Sequence, residues 1–400
     1  MIFGIKNKIL TLSIVSFFFY FIYIVLVLGD TSFLTDIWNI STLKPIFADI
    51  RTITGFNLSV ASGNNPLVDN IGDPFNRPMN YPAFWAFFAK YINMQPQHSE
   101  IFGLINLIFY FFGLVLFINK FDLDFRTSAV ICLAVFSPAS ILAMERGNTD
   151  MIMFFLISIA ILLYNKSFVF SLIIFIASVL KIFPVFAYLS LFDLHKTNRK
   201  STLIACLFIS LFTIYLFVNR DYFSLMSSSV PSPLYFAYGA NIIWMKTVEK
   251  LGADIGFYVR IITYLYLFSL SLFIIVFFRK IKPQHQAVNE TYLKSFQIGA
   301  LIFMLTFLIN NNWDYRLIFL IFTLPYLTLL MKADKLLKTM SYIAVFLILH
   351  TMWYLVIFRF LGSLAAVIDE LLNWVLFTLI SFIYANSLKA GLVKNQEELN

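Results

Sequence analysis

The chain has 400 residues, of which 60% are hydrophobic, 18% aromatic and only 12% charged. Soluble domains contain about 45–50% apolar and about 25% charged residues, so this composition excludes a soluble enzyme, and it also excludes a disordered or fibrous chain. The formal charge of +8 would suggest a nucleic-acid partner for a soluble protein, but in a membrane protein basic cytoplasmic loops account for it. The two cysteines lie in apolar runs and the four histidines are scattered, so the sequence predicts neither a disulfide framework nor a metal site.

The first apolar segment, at about 9–28, is long enough to cross a membrane, because a spanning helix needs roughly 20 apolar residues. A signal peptide would have a shorter apolar core and a small-residue cleavage site, so we interpret the segment as a retained helix. Further spans are predicted at about 101–118, 128–144, 151–164, 168–180, 182–194, 201–218, 257–278, 295–310, 315–331, 340–358 and 370–386. The segments 168–180 and 182–194 could instead form one broken helix. The prediction is an all-α polytopic membrane protein, a single membrane domain over residues 1–400 with about twelve transmembrane helices.

The positions of the lysines and arginines predict the orientation of these spans. If the N-terminus is cytoplasmic, more than half of the 29 basic residues fall in cytoplasmic segments, as the positive-inside rule requires, and the C-terminus is cytoplasmic too. The remaining basic residues, on the extracytoplasmic side, are more numerous than a face without a function would need. We therefore expect the extracytoplasmic face to use positive charge.

The longest segment between spans is the first outer loop, at 29–100. It contains an aromatic run at 84–88 and four prolines that stiffen the path of the chain. The stretches 36–56 and 83–93 have the pattern of amphipathic helices that lie on the membrane surface. A loop this long, apolar and rigid is more often functional than a simple connection.

The later outer turns are short and unusually polar. They are the turn 145–150, the turn at Lys181, the turn 219–222, which contains Arg220 and Asp221, and the turn 310–316. Charged residues at such depths are costly and usually mark a pathway or a site. Since all four turns are predicted on the side of the long loop, we expect them to form one outward-facing polar cavity.

A cavity of cations and carboxylates at the membrane boundary suits a lipid-linked phosphate. The lipid tail stays in the bilayer, and arginine holds phosphate oxygens through two parallel hydrogen bonds. Glycosyl transfer from such a donor needs one carboxylate to take the proton of an acceptor hydroxyl. Asp49 is the preferred base because it falls on a predicted interfacial helix. The other first-loop candidates are Asp30 and Asp36, which could be helix caps or surface charges, and Asp69 and Asp73, which could be turn residues.

Over roughly residues 30–330 the chain resembles the membrane-embedded GT-C glycosyltransferases, most specifically the glycosyltransferase 87 family. The order and spacing of several short motifs carry this resemblance. In chain order they are Asp49, Asn65-Pro66, Arg77, Asn80-Tyr81-Pro82, Arg146-Gly147-Asn148, Lys181-Ile182-Phe183-Pro184, Asn312 to Arg316, and Pro325.

The resemblance implies a sugar donor on polyprenyl phosphate, often carrying mannose or arabinofuranose, and a lipid or glycan acceptor. It also implies a bacterial cytoplasmic membrane, no essential metal or other cofactor, and a loop Asp as the base. The substrate-binding candidates that follow are Arg77, Asn80, Tyr81, Glu145, Arg146, Asn148, Asp150, Lys181, Arg220, Asp314 and Arg316. Structural interpretations stay open for several of them, because long basic side chains snorkel at helix ends and tyrosines anchor loops in the membrane interface.

Two other classes of protein compete with this interpretation. A polytopic transporter or flippase of lipid-linked sugars would have a similar number of spans, although the first loop is long for that class. A polysaccharide polymerase or ligase usually has its long arginine-bearing loop late in the chain, whereas here the long loop comes first.

Overall fold

The computed structural model describes residues 5–192, 199–280, 289–309 and 311–397. Helices make up 78% of these described residues. Within the described residues, extended structure is limited to two antiparallel strands, Ala237–Tyr238 and Asn312–Trp313, with Ala237 opposite Trp313. The prediction of an all-α protein is therefore confirmed.

Several helices are long and apolar enough to cross a membrane, which makes the chain a multi-pass membrane protein. Seven are found among the described residues: Asn7–Val27, Pro96–Ile118, Arg199–Val218, Ala253–Arg279, Glu290–Ile309, Lys335–Met352 and Ser363–Lys389. Phe125–Val135 and Pro138–Arg146 would add an eighth if together they form one broken span.

The count of about twelve spans stays a prediction, because several predicted spans are shorter here than the bilayer requires. Asp150–Leu162 and Ser167–Leu180 are apolar helices of 13 and 14 residues. The predicted span 182–194 corresponds to a 3₁₀ helix at Phe183–Leu191, and its last two residues lie outside the described residues. The predicted span 315–331 begins as the 3₁₀ helix Asp314–Thr323 and continues as the α-helix Leu324–Leu330.

The chain divides into two compact units. The first comprises the described residues up to 122 together with 140–191 and 199–231. Its helices are Ile5–Ile22 with a π-helical turn at Tyr23–Val27, Ser32–Trp38, Ala48–Thr54, Phe56–Ala61, Ala83–Tyr91, the 3₁₀ turn Pro96–His98, Ser99–Ile118, the part of Pro138–Arg146 from Ser140 onward, Asp150–Leu162, Ser167–Leu180, Phe183–Leu191, Arg199–Val218 and Arg220–Ser228.

The core of the first unit forms where Ser99–Ile118 packs on Asp150–Leu162. Gly113 permits the close approach of these helices, because a Cβ at this position would lie 2.9 Å from Cα of Phe155. Tyr110 and Phe154, both fully buried, meet edge to face beside it with ring centroids 5.0 Å apart. The first long loop joins this core through Trp85, whose indole N–H donates to the carbonyl of Leu180 at 2.9 Å. The loop is therefore folded onto the helices rather than extended.

The second unit comprises the described residues within 123–139, 192 and 232–400. Besides the two short strands, its helices are Phe125–Val135, Ile242–Leu251, Ala253–Lys280, Glu290–Ile309, Asp314–Thr323, Leu324–Leu330, Lys335–Met352, Tyr354–Leu361 and Ser363–Glu397.

Glu290–Ile309 lies at the centre of the second unit, and 78% of its apolar 18-residue stretch is buried. Gly299 lets the 3₁₀ helix Asp314–Thr323 approach, because a Cβ there would lie 2.9 Å from the carbonyl oxygen of Phe319. Phe307 stacks on Phe377 of the last helix with ring centroids 4.7 Å apart. By contrast, only 11% of the corresponding apolar stretch of Ala253–Arg279 is buried, and many of its exposed side chains are large and apolar. This helix therefore presents most of its surface to lipid.

Candidate functional site

Asp49 lies in the first turn of the helix Ala48–Thr54, with 17% of its side chain exposed. The N-terminal end of a helix favours a negative charge. The side-chain amide of Asn148 donates to Oδ2 of Asp49 at 2.6 Å, and Nη1 of Arg77 lies 3.4 Å from Oδ1. The carboxylate is therefore held from two sides and is still reachable from outside.

Arg77 is fixed by a second carboxylate, that of Asp73, which is fully buried. Nε of Arg77 donates to Oδ2 of Asp73 at 2.8 Å, and Nη2 donates to Oδ1 at 3.0 Å, which is the bidentate geometry typical of strong arginine pairs. Nη2 also donates to the carbonyl of Ala48. Burial by itself would lower the pKa of Arg77, but the hydrogen bonds and charges of Asp73 and the charge of Asp49 raise it above its ordinary value. Arg77 is thus a permanent cation that ties both carboxylates to the start of one helix.

Asp73 is a residue of this site that sequence reasoning missed, since it was considered only as a turn residue or an alternative base. The feature of the sequence that could have indicated its pairing with Arg77 is the four-residue spacing between the two. That spacing indicates pairing on a helix, but the segment between the two residues is irregular.

The turn 145–150 is joined to the segment that precedes Asp49. The backbone N–H of Phe47 donates to the carbonyl of Glu145 at 3.0 Å, and the N–H of Leu43 donates to the Glu145 carboxylate at 2.9 Å. Gly147 has φ of +60°, and a Cβ there would lie 2.8 Å from Cβ of Phe47. Only glycine meets both conditions, so Gly147 sets the distance between the two segments.

Arg146 extends from this turn, and only some of the hydrogen-bond donors of its guanidinium have acceptors. Nε lies 3.2 Å from Oε2 of the buried Glu145, and Nη2 donates to the carbonyl of Ser41 at 3.3 Å. Nη1 is buried and makes no hydrogen bond within the described structure. Arg146 therefore keeps donor capacity that its neighbours do not use.

Lys181 follows the last residue of the helix Ser167–Leu180 in extended conformation, with φ of −157°. Its ammonium lies 2.6 Å from Oδ1 of Asp150, and it donates to Oδ1 of Asn148 at 2.9 Å and to Oγ1 of Thr149 at 3.2 Å. Three acceptors thus surround a group with three hydrogens. Lys181 is consequently integrated into the turn 148–150, and Thr149 is a second participant that sequence reasoning missed.

Tyr81 lies beside Lys181, whose Nζ is 5.4 Å from the centroid of the phenol ring. The side chain is buried and hydrogen-bonds to Thr149. Burial raises its pKa well above the ordinary value, and the negative charges of Asp49 and Asp150 raise it further, so the phenol stays neutral. Its backbone carbonyl accepts a hydrogen bond from the hydroxyl of Tyr222 at 3.0 Å. The neighbouring Asn80 is half-buried.

The other predicted site residues are placed differently. Arg220 and Asp221 are 71% and 97% exposed, and they form an exposed ion pair with each other at 3.7 Å. Asp314 and Arg316 belong to the second unit, where Arg316 donates to the side-chain oxygen of Asn312.

The alternative bases of the first loop lack the environment of Asp49. The carboxylate of the exposed Asp30 accepts the backbone N–H of Ser32 at 2.8 Å, which is a helix-start role. Asp36 and Asp69 are also exposed. Asp73 is committed to Arg77 and has no exposed side-chain surface.

No family model matches the chain, and neither a curated protein nor a solved structure matches it. Within the described residues, no group of three or more His, Cys, Asp and Glu side chains is arranged to hold a metal ion.

Proposed function

We propose that the protein is a membrane glycosyltransferase of the GT-C type, similar to the glycosyltransferase 87 family. It transfers a sugar from a polyprenyl-phosphate donor to a lipid or glycan acceptor on the extracytoplasmic face of a bacterial cytoplasmic membrane. One observation supports this above all: Asp49 is in contact with Arg77 and Asn148, and Asn148 in turn binds Lys181. The four residues come from separate stretches of the chain, and all four belong to motifs that carry the resemblance.

The proposed reaction is a single displacement at the anomeric carbon. The acceptor hydroxyl loses its proton to Asp49 while its oxygen bonds to the anomeric carbon, and the bond from that carbon to the phosphate oxygen breaks with its electron pair leaving on the lipid phosphate. Asp49 suits the role of base because its carboxylate is held by hydrogen-bond donors and is partly exposed. Phosphate is already a good leaving group, so no second carboxylate needs to act as an acid.

The cations have two different roles in this proposal. Arg77 and Lys181 are bound by Asp73 and Asp150, which suits them to position the base and the turn 148–150. Arg146 retains a donor at Nη1, so it is the better candidate to bind the phosphate of the donor and to stabilise the charge that develops on it.

The test is transfer by purified protein in liposomes, with a panel of polyprenyl-phosphate sugars and with extracted membrane lipids and glycans as acceptors. We expect covalent product from the wild type and from the Asp221→Asn control, whose carboxylate is 97% exposed, but none from Asp49→Asn. Donor binding by Asp49→Asn should be unchanged, because the substitution keeps the shape of the side chain. Movement of a labelled donor across the bilayer without covalent product would instead support a flippase.

A further inference from the structure

A second cluster of buried charges lies in the second unit, and the proposed transfer reaction does not use it. Asp369 and Glu370 are adjacent on the helix Ser363–Glu397, and Asp314 begins the 3₁₀ helix Asp314–Thr323. Each of the three is at most 4% exposed. Asp314 interacts electrostatically with both of the other carboxylates, so the three form one cluster.

The positive charge available to these carboxylates is smaller than their negative charge. Nζ of Lys246 lies 2.8 Å from Oε1 of Glu370, so the positive charge of Lys246 offsets the negative charge of Glu370. Nδ1 of His350 lies 3.6 Å from Oδ1 of Asp369, but an imidazole is charged only when it is protonated. With a neutral His350, three carboxylates would therefore face a single ammonium group.

The hydrogen bonds of the cluster also leave acceptors unused. Asp369 receives one hydrogen bond, from the amide of Asn373 to Oδ2 at 3.0 Å. Oδ2 of Asp314, Oδ1 of Asp369 and Oε2 of Glu370 are buried and accept no hydrogen bond within the described structure. A buried carboxylate that is neither paired nor hydrogen-bonded is strongly destabilising, so the cluster requires an additional positive charge.

A proton meets this requirement better than a metal ion does. Within the part of the chain that the structure describes, no group of carboxylates and histidines is arranged to hold a metal. A proton on Asp314 removes one negative charge, and it also creates an O–H donor in a cluster whose other two carboxylates each have an unused acceptor oxygen. One proton thus reduces both the excess of negative charge and the number of acceptors without a hydrogen-bond donor.

We propose that Asp314, Asp369 and Glu370 form a proton-binding site in which Asp314 is a neutral carboxylic acid at neutral pH. Glu370 is the carboxylate paired with Lys246, and Asp369 is hydrogen-bonded by Asn373 and lies next to His350. Other titratable and charged groups on the elements around Asp314 include Tyr235 and Glu249, which hydrogen-bond to each other, Tyr354, Arg359, and Tyr315 and Arg316 on its own helix. The paired strand adds Tyr238, and the helix Glu290–Ile309, which packs on this segment, adds Glu290, Tyr292 and Lys294.

The electrostatics favour a bound proton in this cluster. Burial raises the pKa of Asp314 well above its ordinary value, the charge of Glu370 raises it further, and Lys246 acts in the opposite direction. Since an unfolded Asp has a pKa of about 3.9, the folded protein holds a proton that the unfolded chain releases. The folded state should therefore lose stability as the pH rises from about 4 towards the folded pKa, with up to about a tenfold rise in the unfolding equilibrium constant per pH unit.

The experiment is infrared spectroscopy of the full chain in lipid nanodiscs, in which a protonated carboxylic acid has its own carbonyl stretch. At neutral pH we expect this band in the wild type and in the control Asp221→Asn, and its loss in Asp314→Asn. Absence of the band from the wild type at neutral pH would overturn the proposal. So would its persistence in Asp314→Asn, because the proton would then be held elsewhere.

Two further measurements do not depend on the folding of Asp314→Asn. Carbon-13 labelling of aspartate side-chain carboxyls in the wild type should shift the band, whereas labelling of glutamate should not; the opposite result would place the proton on a glutamate and refute the assignment. Replacing choline chloride with sodium chloride at constant pH should leave the band unchanged. If sodium abolishes it, the cluster is a metal-cation site and the proposal is wrong.

Discussion

The side-chain amide of Asn148 donates a hydrogen bond to the carboxylate of Asp49 at 2.6 Å, joining two residues 99 positions apart in the sequence. The orientation of this amide is determined by its other end. Oδ1 of Asn148 accepts the ammonium of Lys181 at 2.9 Å and the backbone N–H of Asp150 at 2.8 Å, so the NH₂ group must face Asp49. The turn 148–150 thus aims one donor at the base.

Replacing this donor should impair transfer without removing the base. In Asn148→Asp a second carboxylate would face Asp49 at about hydrogen-bond distance, and the repulsion would displace the base. We expect kcat to fall by about 10²-fold, the usual effect of misplacing a catalytic group, with a smaller change in KM. The measurement is steady-state transfer with matched protein amounts. Asn148→Ala should have a milder effect, and equal kcat for wild type and Asn148→Asp would rule out a positioning role.

Arg146 and Lys181 should respond differently to substitution, although both were predicted to bind substrate. Arg146→Ala removes a guanidinium with unused donor capacity, so it should weaken donor binding. Because it also removes the cation that lies 3.2 Å from the buried Glu145 carboxylate, we expect a lower thermal midpoint as well. Lys181→Met leaves the fully buried Asp150 without its 2.6 Å partner, and breaking a buried pair in this way costs about 3–5 kcal/mol.

The measurements for this pair are donor affinity and the thermal midpoint of unfolding in detergent. Lys181→Met should lower the midpoint strongly, and its double variant with Asp150→Asn should recover part of the loss, because the stranded charge is gone. A large loss of donor affinity in Lys181→Met at an unchanged midpoint would show that Lys181 contacts the donor after all.

Asp73 should matter to the reaction through Arg77 and not by itself. Asp73→Asn removes the bidentate acceptor, so the guanidinium is free to pull Asp49 away from Asn148. We expect lower transfer in Asp73→Asn and in Arg77→Met, and a double variant no worse than the poorer single one, since the residues act as a unit. The check is a double-mutant cycle on kcat/KM. Additive losses would mean that the two side chains act independently.

The membrane character and the helical class were predictable because they depend on composition and apolar run length, which the sequence states directly. The grouping of Asp49, Arg77, Asn148 and Lys181 was foreseen through the order of motifs and through the predicted location of their segments on one side of the membrane. The partners that immobilise these residues were not foreseen, because Asp73 lies in an irregular segment and Thr149 has no charge to attract notice. Arg220 lies in a charged turn that gave the same sequence signal, yet its side chain is 71% exposed, so the sequence does not distinguish an exposed charged turn from a buried one.

The backbone of Gly147 lies where the turn 145–150 meets the segment that precedes Asp49. In Gly147→Ala the methyl group meets two obstacles: φ is +60°, which costs a non-glycine residue about 1–2 kcal/mol, and Cβ would lie 2.8 Å from Cβ of Phe47. Phe47 directly precedes the helix that carries Asp49, so relief of the clash must move the base. We expect a large loss of transfer and a lower thermal midpoint.

Gly29 provides the matched control for this substitution. Its φ is +66°, but a Cβ there has no atom within 4 Å, so Gly29→Ala has the same backbone cost without the contact. Transfer rate and thermal midpoint should be measured for both variants in parallel. Gly29→Ala should keep nearly full transfer at a slightly lower midpoint. If the two variants lose activity equally, the left-handed backbone alone is responsible, and the contact between Gly147 and Phe47 does not position Asp49.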